Sequence, residues 1–464
     1  MVKICILGIA QFQHPLIVMD ETLYFLQAKE IWINHSYILH DRTFGAQYPP
    51  LYPLLLSPLT VIADVNLRYM SGLAINAFLS SLIIFPIFEV ARMFLDEKKA
   101  FIVSVITAFV PVSLTYSYVW MSENLFFLLF AFSVLWILKG ERMKAGITVG
   151  LAVLTKVLAL ALIPFMIWKF RKHSIVPVSM ALSLAGIHFL LTLNETGEAT
   201  GYHYSPHSPS SSFFVQLFLA LTYLSCATAP SLLNLNFKKH SDIIVLTLTW
   251  TLTVAFASQL PLAHGRYYEC LIPFLLIPAF DNVKTKARMI ALSIISPLFF
   301  LLPSLIHSDL VNASLTFPTM LSVHSPLLLF ALAFALLLAF ISVKSEKARG
   351  CLALAFFAFI LIGSSVLNLM EMHKIATTER ECVVFQHLKH ARNESVAFLA
   401  DVREWWATYC LCCFYAQHFL PLHADENAKF LIVEREGEKN KGQRHIARLE
   451  RCCENKVLVV EEVR

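Results

Sequence analysis

A chain of 464 residues with 57% hydrophobic and 15% charged side chains, and a mean hydropathy of +0.64, departs from soluble domains, in which about 25% of residues are charged. The charge is uneven as well: 40 charged residues fall in 1–370 and 29 in 371–464. The pattern excludes one soluble domain throughout. It reads as an α-helical polytopic membrane domain, 1–370, followed by a small soluble domain, 371–464. No small-residue cleavage site follows the first apolar run, so a cleavable signal peptide is not expected.

A spanning helix needs roughly 20 apolar residues. Taken in chain order, such segments are predicted near 4–19, 69–91, 100–119, 121–138, 174–193, 213–233, 243–263, 267–281, 289–306, 327–343 and 351–370. The stretch 145–168, AGITVGLAVLTKVLALALIPFMIW, is flanked by Lys139, Arg142 and Lys144 on one side and by Lys169, Arg171 and Lys172 on the other. Basic residues concentrate in cytoplasmic loops. A hairpin of two short helices turning near Lys156 keeps both clusters on one side, and brings the count to about thirteen segments. The N-terminus is then cytoplasmic and the C-terminal domain extracytoplasmic. The predicted inner side, from Lys3 to Arg349, holds 18 Lys and Arg. The outer side before residue 371 holds five: Lys29, Arg42, Arg68, Lys156 and Arg266.

In this arrangement Asp20 and Glu21 stand at the outer mouth of the first helix. The first outer loop, 20–67, opens with helical spacing of Leu23, Leu26 and Ile31 and the aromatics Tyr24, Phe25 and Trp32. That suits a helix in the membrane interface with aromatics at headgroup level. The prolines of YPPLYPLLLSPL, 48–59, prevent one continuous helix in the return. WMSEN (120–124), LTK (154–156) and LAHGRYYECLIP (262–273) are predicted on the same outer face.

Paired carboxylates at a membrane surface suit general-base chemistry on an acceptor hydroxyl. A like-charged neighbour and apolar surroundings raise one carboxyl pKa toward a useful value. Lys156 and Arg266 supply positive charge, and Arg in particular pairs with phosphate in bidentate fashion. Acid and base beside lipid together point to a phosphate-bearing lipid donor with phosphate as leaving group.

MDETLYFLQA, YPPLYPLLLSP, SENLFFLL, LAVLTKVLAL and HGRYYECLIPFLLIPA, in that order over residues 1 to about 370, resemble the GT-C glycosyltransferases. The resemblance is to the protein O-mannosyltransferases and the lipid A aminoarabinose transferases. It implies a polyprenyl-phosphate sugar donor used on the outer face, with a soluble domain after the membrane part. It also implies an Asp-Glu pair in the first outer loop, matched by Asp20 and Glu21, and an Arg-Tyr pair at a late helix mouth, matched by Arg266 and Tyr267. Where the aminoarabinose group has Lys before Pro-Pro, this chain has Tyr48. That departure leaves more of the phosphate role to Arg266 and Lys156.

Plainer readings stand beside these. Asp20 and Glu21 suit an interfacial helix end. Glu123 suits the positive end of its helix; the other reading is a substrate contact, or a divalent-cation ligand paired with Asp20. Lys156 suits snorkelling to the interface, although an ionisable residue enclosed by apolar ones is a functional candidate. Arg266 suits a bare topology charge, and His264 a structural hydrogen bond.

Six of the ten cysteines, Cys382, Cys410, Cys412, Cys413, Cys452 and Cys453, lie in the C-terminal domain without zinc-finger spacing. Disulfides between the 410–413 and 452–453 groups are expected in an oxidising compartment. SVAFLA (395–400), KFLIVE (429–434) and KVLVVEE (456–462) read as strands and WWATYCLCCFYA as a helix, giving a small α/β domain. It carries no nucleotide fingerprint, and no nucleic-acid partner is expected. Sequons at 194–196, 312–314 and 393–395 fall on the predicted outer side.

The expected function is an inverting glycosyltransferase working from a lipid-linked donor in the bilayer. The alternative is a transporter or flippase of the same lipid. Against it, no inverted repeat and no matched pair of broken helices is visible, and the polar groups gather at one face.

Overall fold

The computed structural model describes residues 18–36, 48–62, 64–196, 235–257 and 267–281, five strand segments between 395 and 462, Lys3, and scattered positions at 213–224, 345 and 348. The predicted spans 4–19, 289–306, 327–343 and 351–370 lie outside the described residues, as does most of 213–233. Two described helices are long and apolar enough to cross a membrane, Leu67–Arg92 and Ile175–Leu193.

The first described helix, α1 (Val18–Ile33), contains Asp20 and Glu21. It covers the helical spacing expected at the opening of the first outer loop. The first outer loop returns through α2 (Leu51–Leu56) and a 3₁₀ turn, Ser57–Val61, with Pro58 near the start of that turn. Next come α3 (Val65–Leu82) and α4 (Ile84–Arg92), then α5 (Glu97–Ala108). Asp64 caps α3, its carboxylate accepting from the Leu67 amide at 2.8 Å, and Asp96 caps α5 through Lys99 at 3.0 Å. Each satisfies an amide that the first helical turn leaves unpaired.

The span predicted at 100–119 is not one helix. It stops at Phe109 and restarts as α6 (Pro111–Thr115) and a 3₁₀ turn, Tyr116–Tyr118. Pro111 explains the break, since proline disfavours helical geometry in the residue before it and is at home at a helix start. Then follow α7 (Glu123–Lys139), α8 (Arg142–Val153), a 3₁₀ segment Val157–Leu162, α9 (Ile163–Phe170), α10 (Ile175–Thr196), α11 (Ser241–Ala257) and α12 (Ile272–Asp281).

The stretch around Lys156 turns back. Gly146 of α8 lies against Pro177 and Met180 of α10, and Gly150 against Leu184. Contacts advance in the same direction on both helices, so α8 and α10 run parallel. The chain between them, 154–174, has therefore returned to the end at which α8 began. Both basic clusters lie at that end, as the hairpin reading expects. The two glycines, four apart, let the backbones approach; a β-carbon on Gly150 would stand 2.5 Å from a Leu184 methyl.

Small polar side chains are buried beside a large apolar core, and a further set of large apolar side chains faces outward. Asn76, Ser80, Ser104, Thr107, Ser113, Ser117 and Ser133 are buried, while Phe78, Phe85, Phe101, Phe256 and Leu190 are exposed. Lys3, counted above among the charges of the inner side, is buried too. Its ammonium donates to Ser80 Oγ at 2.7 Å, Ser113 Oγ at 2.9 Å and the Ser113 carbonyl at 3.0 Å.

The C-terminal strands β1 (Ser395–Leu399), β2 (His418–Pro421), β3 (Phe430–Glu436), β4 (His445–Leu449) and β5 (Lys456–Glu462) form one sheet in the order β2-β1-β3-β5-β4. β1 pairs in parallel with β2 and β3, and β5 in antiparallel fashion with β3 and β4. β1, β3 and β5 are the three segments read as strands above. The other two were not anticipated, because HFLP and HIARL are short and carry little apolar pattern. The helix expected at WWATYCLCCFYA and the six cysteines lie outside the described residues.

Candidate active site

Polar groups from separate stretches of the chain come together around α1 and the starts of α3 and α7. Glu21, fully buried in α1, accepts from the Tyr69 hydroxyl of α3 at 2.8 Å. Tyr69 is held in turn by Trp120, whose indole N–H donates to the Tyr69 carbonyl at 2.8 Å. Phe25, one α1 turn on from Glu21, packs on the Trp120 ring at 5.8 Å and under the Arg68 guanidinium at 4.4 Å. Asp20 precedes Glu21 in the same turn.

Tyr24 continues the α1 contribution. Its hydroxyl bonds to Ser122 Oγ at 2.8 Å, and its ring stacks on Tyr48 at 4.2 Å and meets Tyr52 edge-on at 5.0 Å. Gln27 donates to the Tyr48 carbonyl at 2.9 Å. Tyr24 and Phe25, expected at headgroup level, are thus inside the protein, and Trp32 is the exposed aromatic of that helix. Tyr48 anchors the first loop through ring stacking and its carbonyl.

Tyr52 and Asn76 form a second buried pair, 2.9 Å from amide nitrogen to phenol oxygen, and the Asn76 amide also donates to the Val119 carbonyl at 2.5 Å. Burial pushes the Tyr52 phenol well above the usual tyrosine range. The Asn76 bond opposes that shift, while the negative fields of Glu21 and Glu123 add to it. The two carboxylates therefore act on one phenol from different helices.

Glu123, in the first turn of α7, is 3% exposed and pairs with Lys156 at 2.5 Å. The Lys156 side chain is 17% exposed, and its ammonium also lies 5.7 Å from the centre of the Tyr267 ring. Backbone bonds fix the lysine: its N–H reaches the Ala152 carbonyl at 2.8 Å, and Leu154, two residues before, accepts from Leu51 at 2.9 Å. Tyr267 is tied by its carbonyl to the Trp250 indole at 2.8 Å. Next to it lie Tyr268 and Glu269, both buried. Asn124, fully buried beside Glu123 in α7, has neither amide atom hydrogen-bonded.

Of the residues named from sequence, Glu21, Tyr48, Glu123, Lys156 and Tyr267 thus belong to one network. Asp20 lies next to Glu21 in α1, and Arg266 and His264 lie outside the described residues. Among the described residues no group of three or more His, Cys, Asp or Glu is placed to hold a metal. The ammonium against Glu123 also opposes a divalent cation at that oxygen. Tyr52, Tyr69, Asn76, Trp120 and Glu269 escaped the sequence reading. Asn76 within LAINAFLS and Glu269 within YYECLIPFLLIP did carry a signal, a polar group inside an apolar run.

No protein-family model and no curated protein matches this chain. Solved structures do. ArnT from Cupriavidus metallidurans in the apo state aligns over 99% of this chain and 97% of its own, with a TM-score of 0.64 and 13% identity. The same protein bound to undecaprenyl phosphate aligns with a TM-score of 0.63 and 12% identity, at the same coverage. The chain therefore has the fold of ArnT, a GT-C fold.

Proposed function

We propose that this chain is an integral-membrane glycosyltransferase that moves a sugar from a polyprenyl-phosphate donor to an acceptor hydroxyl on the extracytoplasmic face. The observation that carries this reading is the convergence of Glu21 and the Glu123–Lys156 pair on one buried network, within a fold shared with a protein solved with undecaprenyl phosphate.

The reaction is a single displacement with inversion. The acceptor oxygen bonds to the anomeric carbon as the bond from that carbon to the phosphate oxygen breaks. The acceptor proton goes to Asp20, and the bonding electrons leave with polyprenyl phosphate. Glu21, held by Tyr69, fixes the helical turn that carries Asp20 and orients the acceptor. Lys156 and Arg266 meet the phosphate, and Tyr267 backs the lysine with its ring face. Positive charge there stabilises the leaving oxygen as its charge grows.

The test uses the full chain in nanodiscs with a panel of polyprenyl-phosphate sugars, following release of polyprenyl phosphate. Asp20→Asn keeps size and removes basicity. Turnover falls by roughly 10²–10⁴ while donor affinity holds. Near-normal turnover in Asp20→Asn would remove Asp20 from the mechanism. Movement of intact donor across the bilayer without cleavage would replace the transferase with a flippase.

A further inference from the structure

Lys156 does not wait for its ligand as an isolated cation. Its ammonium is 2.5 Å from a Glu123 oxygen, with both side chains largely buried. The lysine closes a turn that backbone bonds fix at Ala152 and, through Leu154, at Leu51. An ammonium in such surroundings is strongly disfavoured unless an anion faces it. The donor phosphate and the Glu123 carboxylate are two anions for one cation.

We infer that Glu123 is a positioning residue, the resting counter-ion of Lys156, which yields the ammonium to the donor phosphate when the lipid binds. The inference rests on the reading of Lys156 as a phosphate ligand given above. In the resting protein the pair holds the Lys156 side chain in place beside Tyr267. As the sugar departs, the phosphate gains negative charge and draws the ammonium further from Glu123. When polyprenyl phosphate leaves, Glu123 takes the ammonium back and so assists product release. Glu123 touches neither bond that forms or breaks.

A counter-ion and a structural brace give opposite results on removal of charge. In Glu123→Gln the phosphate no longer competes with a carboxylate, so the protein binds undecaprenyl phosphate more tightly. At an effective dielectric of about 20, one unit charge at this range is worth at least a tenfold change in affinity. Multiple-turnover rate falls through slow product release, while the first turnover is spared. A brace would instead leave lipid affinity unchanged or weaken it.

The experiment titrates undecaprenyl phosphate into the full chain in detergent, for the wild type, Glu123→Gln, Glu123→Asp and Lys156→Ala. Tighter binding in Glu123→Gln with lost binding in Lys156→Ala is the expected result. Glu123→Asp draws the carboxylate back by one methylene and falls between wild type and Glu123→Gln. Should Glu123→Gln fold only when purified with the lipid, that rescue is itself the expected exchange of anions. Should it not fold at all, unchanged affinity in Glu123→Asp overturns the inference. Lost binding in Lys156→Ala without any gain in either Glu123 variant overturns the counter-ion role alone. Full binding in Lys156→Ala overturns the phosphate role of Lys156, and this inference with it.

Discussion

Helix α7 has a glutamate at one end and a lysine at the other, and the two live in different physical worlds. Glu123 is 3% exposed and bonds to Lys156, 33 positions away in sequence. Lys139, about 24 Å further along the axis, bonds to Glu89 with both partners more than a third exposed. Three further pairs around Lys139 are local and solvent-facing, Glu89–Arg92, Asp96–Lys99 and Glu141–Lys144, each three residues apart, while Lys169–Asp242 and Lys239–Asp281 at that end join distant segments and are partly buried. Around Glu123 the polar bonds join α1 to α3, α3 to residues 119–121, and the Lys156 turn to α7. Exposed pairs contribute little and are screened. Buried ones tolerate no missing partner. The difference teaches that the charges flanking Lys139 on α4, α5 and α8 are a solvated boundary, whereas Glu123 and Lys156 at the near end are a fixed apparatus.

The comparison breaks most sharply at Gly72, buried in α3 among the site residues. A β-carbon there would lie 2.2 Å from the Trp120 indole nitrogen and 2.3 Å from its ring. Gly72→Ala must therefore displace Trp120, which holds the Tyr69 carbonyl, while the Tyr69 hydroxyl holds Glu21. Overpacking of this kind costs about 1–3 kcal/mol. Thermal unfolding in detergent should show that loss, and donor turnover should fall with it. A variant with unchanged turnover would mean that the Trp120–Tyr69–Glu21 chain does not set the position of the first helical turn.

The same glycine shows where sequence reasoning stops. Hydropathy marked 69–91 as a span, and α3 with α4 covers it. The basic clusters flanking 145–168 revealed the turn at Lys156, because charge placement is a global constraint on topology. Composition revealed Glu21, Glu123 and Lys156 as ionisable groups out of place. Nothing in the string told that Trp120 would lie across Gly72, that Tyr69 would meet Glu21, or that Glu123 would be the partner of Lys156. Those are contacts between residues 33 to 51 positions apart, and no periodicity encodes them. Pro111 splits the span 100–119, which hydropathy alone reads as one continuous apolar run. For β2 and β4 the reason is different: a strand completed by its neighbours needs little pattern of its own.

Gly140, at the far rim, is the counterpart of Gly72. It ends α7 at φ 77°, in the left-handed region, and nothing lies within 4 Å of where a β-carbon would stand. Its strain is conformational and local, because an L-residue there brings its β-carbon against the following carbonyl. Gly140→Ala should cost about 1 kcal/mol, seen as a small drop in thermal midpoint, with donor affinity and turnover unchanged. A fall in turnover to match Gly72→Ala would show that the two ends of the helix are coupled, and the contrast drawn above would fail.

The smallest effect should come from Lys139→Ala, although it deletes a charged bond of 2.8 Å. Glu89 keeps a second partner, Arg92, at 3.1 Å. The Trp136 ring, 5.8 Å from Lys139, keeps the closer Lys144 at 4.7 Å. Each interaction of Lys139 is thus duplicated, and water reaches both members of the pair. A loss of about 0.2–1 kcal/mol is expected, shrinking as salt is raised from low ionic strength to about one molar, where the screening length falls to roughly 3 Å. Paired thermal unfolding curves at the two salt concentrations make the measurement. Among the described residues Lys156 meets one carboxylate and one ring, with little water, and has no such duplication. If Lys139→Ala proved as damaging as Gly72→Ala and indifferent to salt, exposure would not be what separates the two ends of α7.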